Sequence, residues 1–262
     1  MQNITTIYAN EVLMTEIQSL ARGLRILDIL GESPNGVSVT ELAEQLNLDK
    51  GSASRLVATL ANYAYAEKDP VSRRYSLGPQ VVTLSRSLLA KLPLRDVAKP
   101  FLRELMEKSG ECSHVGILSQ GRVLYIDQVE SAASLRVNAE VGSLSPLHCT
   151  ALGKAMLAFG RTPLPQKLER FTDNTLTSID SLKKNLELVR EQGYATDDEE
   201  FDLGVRCIAA PVFDYRDKVI GSIGISGPIT RMTTKAMPHF AELVIKVSQA
   251  LSEKMRFTAH RT

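Results

Sequence analysis

Tryptophan is absent from the 262-residue sequence, and aromatic residues make up only 5% of it. Any hydrophobic core must therefore be built mainly from aliphatic side chains. No apolar run approaches the roughly 20 residues that a membrane-spanning helix needs. The first residues also lack the basic start and long apolar stretch of a secretory signal. We therefore expect a cytoplasmic globular protein with no membrane partner.

Cysteine is scarce as well, and its three copies, Cys112, Cys149 and Cys207, lie far apart in the chain. An odd number of cysteines without a Cys-x-x-Cys pair indicates neither a disulfide framework nor a zinc finger. His148 stands beside Cys149, but no further ligand follows at metal-binding spacing, so packing explains this pair better. The sequence predicts no metal site and no cofactor.

A strong net charge is missing too. The formal net charge is +1, and residues 1–78 carry seven basic and nine acidic residues. This balance counts mildly against a nucleic-acid partner, because phosphate neutralisation usually supplies much of the affinity. The arrangement of the cations matters more than their sum. Four of the seven fall in two short stretches that can share one face: Lys50, Arg55, Arg73 and Arg74.

Three segments between positions 18 and 62 have apolar residues at helical spacing. The first follows Ser19, a suitable N-cap, and the second follows Thr40, another suitable N-cap. The third opens at Leu48 or Asp49 and runs to about Asn62. Only three residues separate the second helix from the third, and such a short break is typical of a helix-turn-helix.

The third predicted helix has an exposed polar face, and a DNA major groove is about as wide as an α-helix. Residues 65–77 predict two short strands around an Asp-Pro turn, which would form a wing beside this helix. The alternative is an ordinary helical bundle whose polar face is merely solvated. The predicted contacts to double-stranded DNA are Ser19, Thr40, Lys50, Ser52, Ser54, Arg55, Thr59, Arg73 and Arg74.

The rest of the chain alternates between helical and period-two patterns, and its length suits a second domain. The predicted helices span about 79–91, 96–108, 150–160, 182–192 and 234–255, and the predicted strands span 113–119, 122–130, 134–140, 205–213 and 219–226. We expect a flexible arm (1–17), a winged helix-turn-helix domain (18–78), a linker helix (79–92) and a mixed α/β (α+β) effector-binding domain (93–262).

Three stretches of the second half, "GSLSPLHCTALGKAMLAF", "GYATDDEEFDLGVRCIAAPVFD" and "IGISGPITRM", resemble the IclR family of bacterial transcriptional regulators, and the resemblance covers residues 18–257. It implies a winged helix, a linker helix and a GAF-like domain that binds a small organic acid. It also implies a homodimer, or a dimer of dimers, on a palindromic operator. The regulated genes would belong to a catabolic operon.

The candidate effector site starts from the predicted helix that begins near Thr150. The first turn of a helix has unpaired N–H groups and a dipole that favours anions, so the amides of Ala151 and Leu152 are candidates for holding a carboxylate. The resemblance adds further wall residues, namely Val137, Ser145, Asp197, Val205, Cys207, Gly224 and Ser226. Some family members carry a hydroxyl at the position of Gly224, so one hydrogen bond is expected to be missing here.

Other interpretations remain open at this point. Cys207 in a strand is usually a small buried hydrophobe, and residues 197–200 resemble a solvated acidic loop that Lys154 could balance. A GAF-like enzyme using a cysteine as a redox nucleophile would need an activating neighbour, which the spacing does not supply. A small-molecule sensor that does not bind DNA would leave the basic residues as ordinary surface.

Overall fold

The computed structural model describes residues 16–89, 92–134, 137 and 140–258. The chain divides into two compact units, Met1–Lys91 and Leu92–Thr262. The predicted N-terminal arm, residues 1–17, lies almost wholly outside the described residues. No helix in the described ranges is both long and apolar enough to cross a bilayer.

The first unit consists of helices and a two-stranded hairpin. Its elements are α1 (Gln18–Gly31), α2 (Val39–Gln45), α3 (Lys50–Asn62), β1 (Ala66–Lys68), β2 (Tyr75–Leu77) and α4 (Gln80–Leu89). β1 and β2 pair antiparallel. The core of this unit is mainly aliphatic, although it also buries Tyr75, and its aliphatic members include Ile26, Leu30, Leu42, Ala53 and Val57.

Two helix starts differ from the prediction. α1 begins at Gln18 after Ile17, so Ser19 lies inside its first turn instead of capping it. Thr40 likewise lies inside α2, whose N-cap is Ser38. Ser38 and Glu41, three residues apart, form a capping box. This pairing fixes the helix start at Ser38 instead of Thr40.

The capping box and the start of α3 are both explicit in the hydrogen bonds. The Ser38 N–H donates to the Glu41 carboxylate at 2.7 Å, and the Glu41 N–H donates to Ser38 Oγ at 3.3 Å. At α3 the Asp49 carboxylate accepts from the Ser52 N–H at 2.8 Å. Asp49 is thus the N-cap of α3, one of the two residues at which the sequence opens this helix. Both caps occupy N–H groups that a helix start leaves unpaired.

The second unit is a six-stranded antiparallel sheet with helices on both faces, in the strand order β5-β4-β3-β8-β7-β6. Its elements are α5 (Pro93–Ser109), β3 (Cys112–Ser119), β4 (Arg122–Val129), β5 (Leu144–Ser145), α6 (Ala151–Phe159), α7 (Ile179–Gln192), β6 (Ala195–Asp198), β7 (Val205–Phe213), β8 (Val219–Pro228) and α8 (Met237–Thr258). The predicted α+β architecture is confirmed.

The period-two alternation of β8 separates the two faces of the sheet. Ile223 and Ile225 belong to the large core under α5 and α8. Ser222, Gly224 and Ser226 face the other side, where the Ser222 hydroxyl donates to the carbonyl of Leu152 in α6 at 2.9 Å. The sheet therefore presents small and polar residues to the start of α6.

The sheet differs from its prediction in two places. Residues 197–200 are only partly solvated: Asp197 and Glu200 are buried, whereas Asp198 is exposed. Asp197 lies in the edge strand β6, which the sequence pattern does not predict. The strand predicted at 134–140 falls largely outside the described residues, and its described positions are not in a strand. The short strand that pairs with the outer edge of β4 is instead β5.

Candidate nucleic-acid interface and ligand cavity

One side of α3 is open to solvent. Lys50, Ser54, Arg55 and Thr59 are exposed there, and Ser52 is half-buried. The Arg55 guanidinium donates to Ser52 Oγ at 3.2 Å, and Thr59 Oγ1 donates to the Arg55 carbonyl at 2.8 Å. The predicted reading face therefore exists as an accessible surface, on which Arg55 is supported by side chains one turn away.

The hairpin forms a wing whose turn is held by Asp69. Its carboxylate accepts from the N–H groups of Val71 at 3.0 Å and Ser72 at 2.5 Å, and these bonds lower the pKa of Asp69. The turn places Arg73 at a φ of 61°, with an exposed side chain near the tip. Such a tip can approach phosphates.

Arg74 differs from the other predicted DNA contacts. Its guanidinium pairs with both carboxylate oxygens of Glu41, at 2.8 and 2.9 Å, and its Nε donates to the carbonyls of Asn35 and Gly36. Hydrogen bonds from Ser38 and Arg74 lower the pKa of Glu41 to about 2. Arg74 thus ties the wing to the start of α2.

Two of the predicted DNA contacts, Ser19 and Thr40, lie on the first two helices. Ser19 is exposed in α1, and Thr40 is half-buried in α2. Neither belongs to the exposed face of α3, which carries five of the nine predicted contacts.

The second unit contains a cavity of about 390 Å³ between the sheet and the start of α6. All nine residues predicted to hold an effector line it: Val137, Ser145, Ala151, Leu152, Asp197, Val205, Cys207, Gly224 and Ser226. These residues come from β5, α6, β6, β7, β8 and the segment before β5. The fold therefore gathers a set that is spread over 90 positions of the sequence.

The start of α6 supplies two free amides to this cavity. The N-cap Thr150 accepts from the Gly153 N–H through its side chain at 3.2 Å, and from the Lys154 N–H through its carbonyl at 2.9 Å. The N–H groups of Ala151 and Leu152 have no acceptor among the described residues. They retain the anion-binding potential of a helix start.

Gly153 allows this helix start to approach the loop before it. A Cβ at Gly153 would lie 2.4 Å from the Leu147 carbonyl oxygen and 2.5 Å from the Leu147 Cα. Backbone atoms cannot yield as a flexible side chain does, so a larger residue would push α6 away from the loop. The glycine in "TALGKA" therefore has a packing reason.

Asp197 is one of three acidic residues that line the cavity, with Glu140 and Asp202, and it is only 2% exposed. Burial, followed by the charge of Glu200, raises its pKa to about 7. Its Oδ1 nevertheless accepts from the N–H groups of Glu200 at 2.8 Å and Phe201 at 3.4 Å. Near neutral pH the carboxyl is balanced between its neutral and charged forms, so a nearby anion readily changes its state.

Lys154 lies behind the cavity with none of its side chain exposed. Its ammonium group contacts the Glu200 carboxylate, whose second oxygen has no partner among the described groups. Burial raises the pKa of Glu200, and Lys154 opposes that change. The predicted balance between Lys154 and the acidic segment is therefore a buried ion pair one helical turn from the free amides.

Known proteins match both units. Residues 19–70 match the IclR helix-turn-helix domain, and residues 86–253 match the bacterial transcriptional regulator IclR C-terminal domain. The chain belongs to the IclR family of bacterial transcriptional regulators. Among IclR-family relatives, the HTH-type transcriptional regulator BhcR of Paracoccus denitrificans is 37% identical over 90% of this chain and 86% of its own length. The transcriptional repressor IclR of Escherichia coli is 34% identical over 90% and 89%.

Solved IclR-family structures share the fold. The Thermotoga maritima IclR aligns with a TM-score of 0.75 and 27% identity, over 92% of this chain and 99% of that one. An IclR homolog from Microbacterium hydrocarbonoxydans, crystallised with 4-hydroxybenzoate, aligns with a TM-score of 0.77 over 90% and 98%. Its identity is 19%, so that likeness concerns the fold alone. As an IclR-family member, the chain is a ligand-responsive DNA-binding transcriptional regulator.

The IclR family consists of regulators and not of enzymes, which removes the cysteine redox enzyme as an alternative. The cysteine environments agree with this conclusion. Burial, reinforced by Asp197, raises the pKa of the Cys207 thiol, and burial likewise raises the pKa of Cys149. A reactive cysteine needs the opposite change, because the thiolate is the nucleophile.

Sequence reasoning missed His114 and Tyr125, which also line the cavity. His114 is on β3 directly opposite Gly224 of β8, and its Nε2 contacts Ser226 Oγ. The rings of His114 and Tyr125 pack edge to face, with their centroids 5.9 Å apart. The period-two pattern of "SHVGILS" could have put His114 on one face of a strand, but not beside Ser226.

Gly224 has a different role from the predicted one. The family resemblance predicts that a hydroxyl, and with it one hydrogen bond, is missing at this position. A Cβ there would lie 2.2 Å from the Ile208 carbonyl oxygen and 2.7 Å from the Ala209 Cβ. In this chain β7 and β8 are too close at this point for any side chain, so glycine is a packing requirement.

Proposed function

We propose that this regulator binds a small organic acid, a carboxylate or an aromatic acid, in the cavity at the start of α6. Binding changes its affinity for a palindromic operator of a catabolic operon in the cytoplasm. A ligand alters operator affinity only if it binds two conformations of the protein differently. The linker helix region, residues 79–92, joins the two predicted domains and is the segment through which we expect this coupling to pass.

The observation that carries the proposal is the pair of amides at Ala151 and Leu152, which have no acceptor among the described residues and belong to the wall of the cavity. Two adjacent N–H donors with the positive end of the α6 dipole fit the two oxygens of a carboxylate. Ser145 and Ser226 add hydroxyl groups, and Val137 and Val205 add apolar wall. The 4-hydroxybenzoate complex of the Microbacterium protein supports an acid of this kind.

Acid binding is expected to weaken as the pH rises through about 7, the pKa of Asp197. Below this pH the carboxyl is neutral and tolerates an anion, whereas above it a second negative charge opposes binding. The limiting slope is about tenfold in affinity per pH unit for one linked proton. After burial, the groups that shift the pKa of Asp197 are Glu200, Lys154 and the backbone N–H of Phe201, and Asp197 in turn raises the pKa of Cys207 and Tyr125. Calorimetric titration with benzoate and propionate from pH 6 to roughly 8.5 measures the effect.

Asp197→Asn is the matched control, since the amide keeps the shape and cannot ionise. It should bind the same acids with an affinity that no longer changes across neutral pH, while operator binding stays intact. A wild-type affinity that is flat with pH, or rises with it, would contradict the role of Asp197 beside the anion.

The proposed DNA contacts lie mainly on the exposed face of α3. Lys50, Ser52, Ser54, Arg55 and Thr59 are proposed to meet the major groove, and Arg73 at the wing tip to meet the backbone. Ser19 and Thr40 are secondary candidates off this face. Arg74 is proposed to act mainly by holding the wing, because its guanidinium is already paired with Glu41.

We further propose that the working form is a homodimer or a dimer of dimers. Two helices of the first unit expose apolar side chains: Leu20 and Leu24 of α1, and Val82, Leu84 and Leu88 of α4, each at least half exposed. A palindromic operator also requires two reading helices related by a two-fold axis. Sedimentation equilibrium at micromolar concentration should give a dimer or tetramer mass. A monomer mass both free and on DNA would reject this part of the proposal.

A further inference from the structure

An acidic side chain connects the helix-turn-helix to the wing. One amino group of the Arg74 guanidinium donates to both oxygens of the Glu41 carboxylate, at 2.8 and 2.9 Å. The Ser38 N–H donates to the same carboxylate at 2.7 Å, within the capping box of α2. Hydrogen bonds between charged groups are about twice as strong as neutral ones. Glu41 therefore acts at the start of α2 and at the wing at the same time.

The base of the wing is fixed at close range. Val37 and Tyr75 exchange two backbone hydrogen bonds of 2.8 Å. Arg74 Nε donates to the carbonyls of Asn35 at 3.2 Å and Gly36 at 3.1 Å. Gly36 has a φ of 67°, and a Cβ there would lie 2.9 Å from the Tyr75 carbonyl oxygen. Backbone and side-chain bonds thus hold β2 against the segment before α2.

Arg74 is also part of the turn that presents Arg73. The Arg74 carbonyl accepts from the Asp69 N–H at 2.9 Å, and the Asp69 carbonyl accepts from the Arg73 N–H at 3.0 Å. Arg73 has a φ of 61°, which residues other than glycine rarely adopt, so these neighbours determine its backbone conformation. A contact residue that is positioned before DNA arrives loses less conformational entropy on binding.

We propose that Glu41 is a positioning residue for DNA binding: it pairs with Arg74 and so fixes the wing in the orientation that brings Arg73 to the DNA backbone. This inference rests on the proposed function, because it needs Arg73 at a phosphate. It assigns a role in DNA binding to an acidic residue that is not among the nine candidates. An acidic residue near DNA ordinarily weakens binding, since phosphates repel it, so the effect expected here has the opposite sign.

The test compares two acids of α2 in the full-length protein. Glu41→Gln removes the charge that holds Arg74 but keeps the helix start, because glutamine also serves at this position of a capping box. It should weaken binding to the operator and to a scrambled duplex by about two- to tenfold, the size of one hydrogen bond, as measured by anisotropy. Glu44→Gln makes the same charge change at an exposed position and should not weaken either affinity. Unchanged or tighter binding by Glu41→Gln would overturn the inference.

A double variant separates positioning from a general loss of structure. If Glu41 acts through Arg73, adding Glu41→Gln to Arg73→Ala should weaken binding no further than Arg73→Ala does alone. Glu41→Gln by itself should also reduce the salt slope, by up to about one. Circular dichroism establishes that each variant is folded under the binding conditions. Additive losses, or an unchanged salt slope in Glu41→Gln, would show that Glu41 does not act through Arg73 and would overturn the inference.

The outcomes also distinguish this inference from the proposal beneath it. If Arg73→Ala weakens binding to both duplexes but Glu41→Gln does not, the contact between the wing and the DNA backbone stands and the role of Glu41 is rejected. If Arg73→Ala leaves both affinities unchanged, that contact and the role of Glu41 are rejected together.

Discussion

Replacing Lys154 with methionine is expected to lower the free energy of unfolding of the second unit by about 3–5 kcal/mol. Lys154 is completely buried, and its ammonium group contacts the Glu200 carboxylate. Methionine fills similar space but leaves Glu200 and Asp197 together without a cation in a low-dielectric interior. The loss should grow as the pH rises, because the pKa of Glu200 is raised and protonation relieves the uncompensated charge at low pH.

Urea unfolding followed by far-ultraviolet circular dichroism measures this loss, and the absence of tryptophan rules out indole fluorescence as the probe. Lys108→Met is the matched control, since Lys108 pairs with Glu104 on the surface of α5 at 2.6 Å. An exposed pair contributes about 0–1 kcal/mol. Adding Glu200→Leu to Lys154→Met should restore much of the stability. Equal losses in Lys154→Met and Lys108→Met would show that the buried pair is not a structural element.

Replacing Arg55 with alanine is expected to weaken specific operator binding by about 1–3 kcal/mol, a factor of roughly 5–150. Arg55 is exposed on α3 and supported by Ser52, so its guanidinium is available to a guanine edge. Fluorescence anisotropy with the operator and with a scrambled duplex, at the same salt concentration, separates specific from non-specific affinity.

The controls for Arg55 distinguish base reading from phosphate contact. Arg103→Ala removes an exposed arginine from α5 in the other unit and should leave both affinities unchanged. Arg73→Ala should weaken both duplexes alike and reduce the salt slope by about one. If Arg55→Ala behaves like Arg73→Ala, then Arg55 holds a phosphate. If it leaves both affinities unchanged, α3 does not use Arg55 on DNA.

Local signals made much of the fold predictable. Helix α6 starts after Thr150 and ends before Gly160, and β7 spans residues 205–213, as their patterns indicate. These features depend on neighbours within one element: a cap, a stop and a period. The errors at Ser19 and Thr40 were local as well. At α2 the reciprocal bonds of Ser38 and Glu41 fix the start of the helix before Thr40, whereas α1 begins after Ile17 without a side-chain cap.

Long-range pairing explains most of what the sequence did not reveal. The sequence of residues 197–200 predicts a solvated acidic loop, because it does not show that Lys154, more than 40 residues earlier, contacts Glu200. The sequence likewise predicts an unpaired Arg74 in the wing, because Glu41, its partner in space, is 33 residues away in the sequence. His114 needs the register of β3 against β8 to meet Ser226. Sequence patterns contain none of these distances. The helix start after Thr150 did supply Ala151 and Leu152 as effector candidates, and the family resemblance supplied the other seven that the fold gathers.

The most direct test of the account is the dissociation constant for duplex DNA from the region upstream of the regulated gene, measured by anisotropy with and without a bound acid. Wild-type protein should prefer this duplex to a scrambled one at moderate salt, and an acid that fills the cavity should change that affinity. The change should be about 5–150-fold, the usual range of a coupling between two sites. An affinity that is the same for both duplexes, or that no cavity-bound acid alters, would contradict the account.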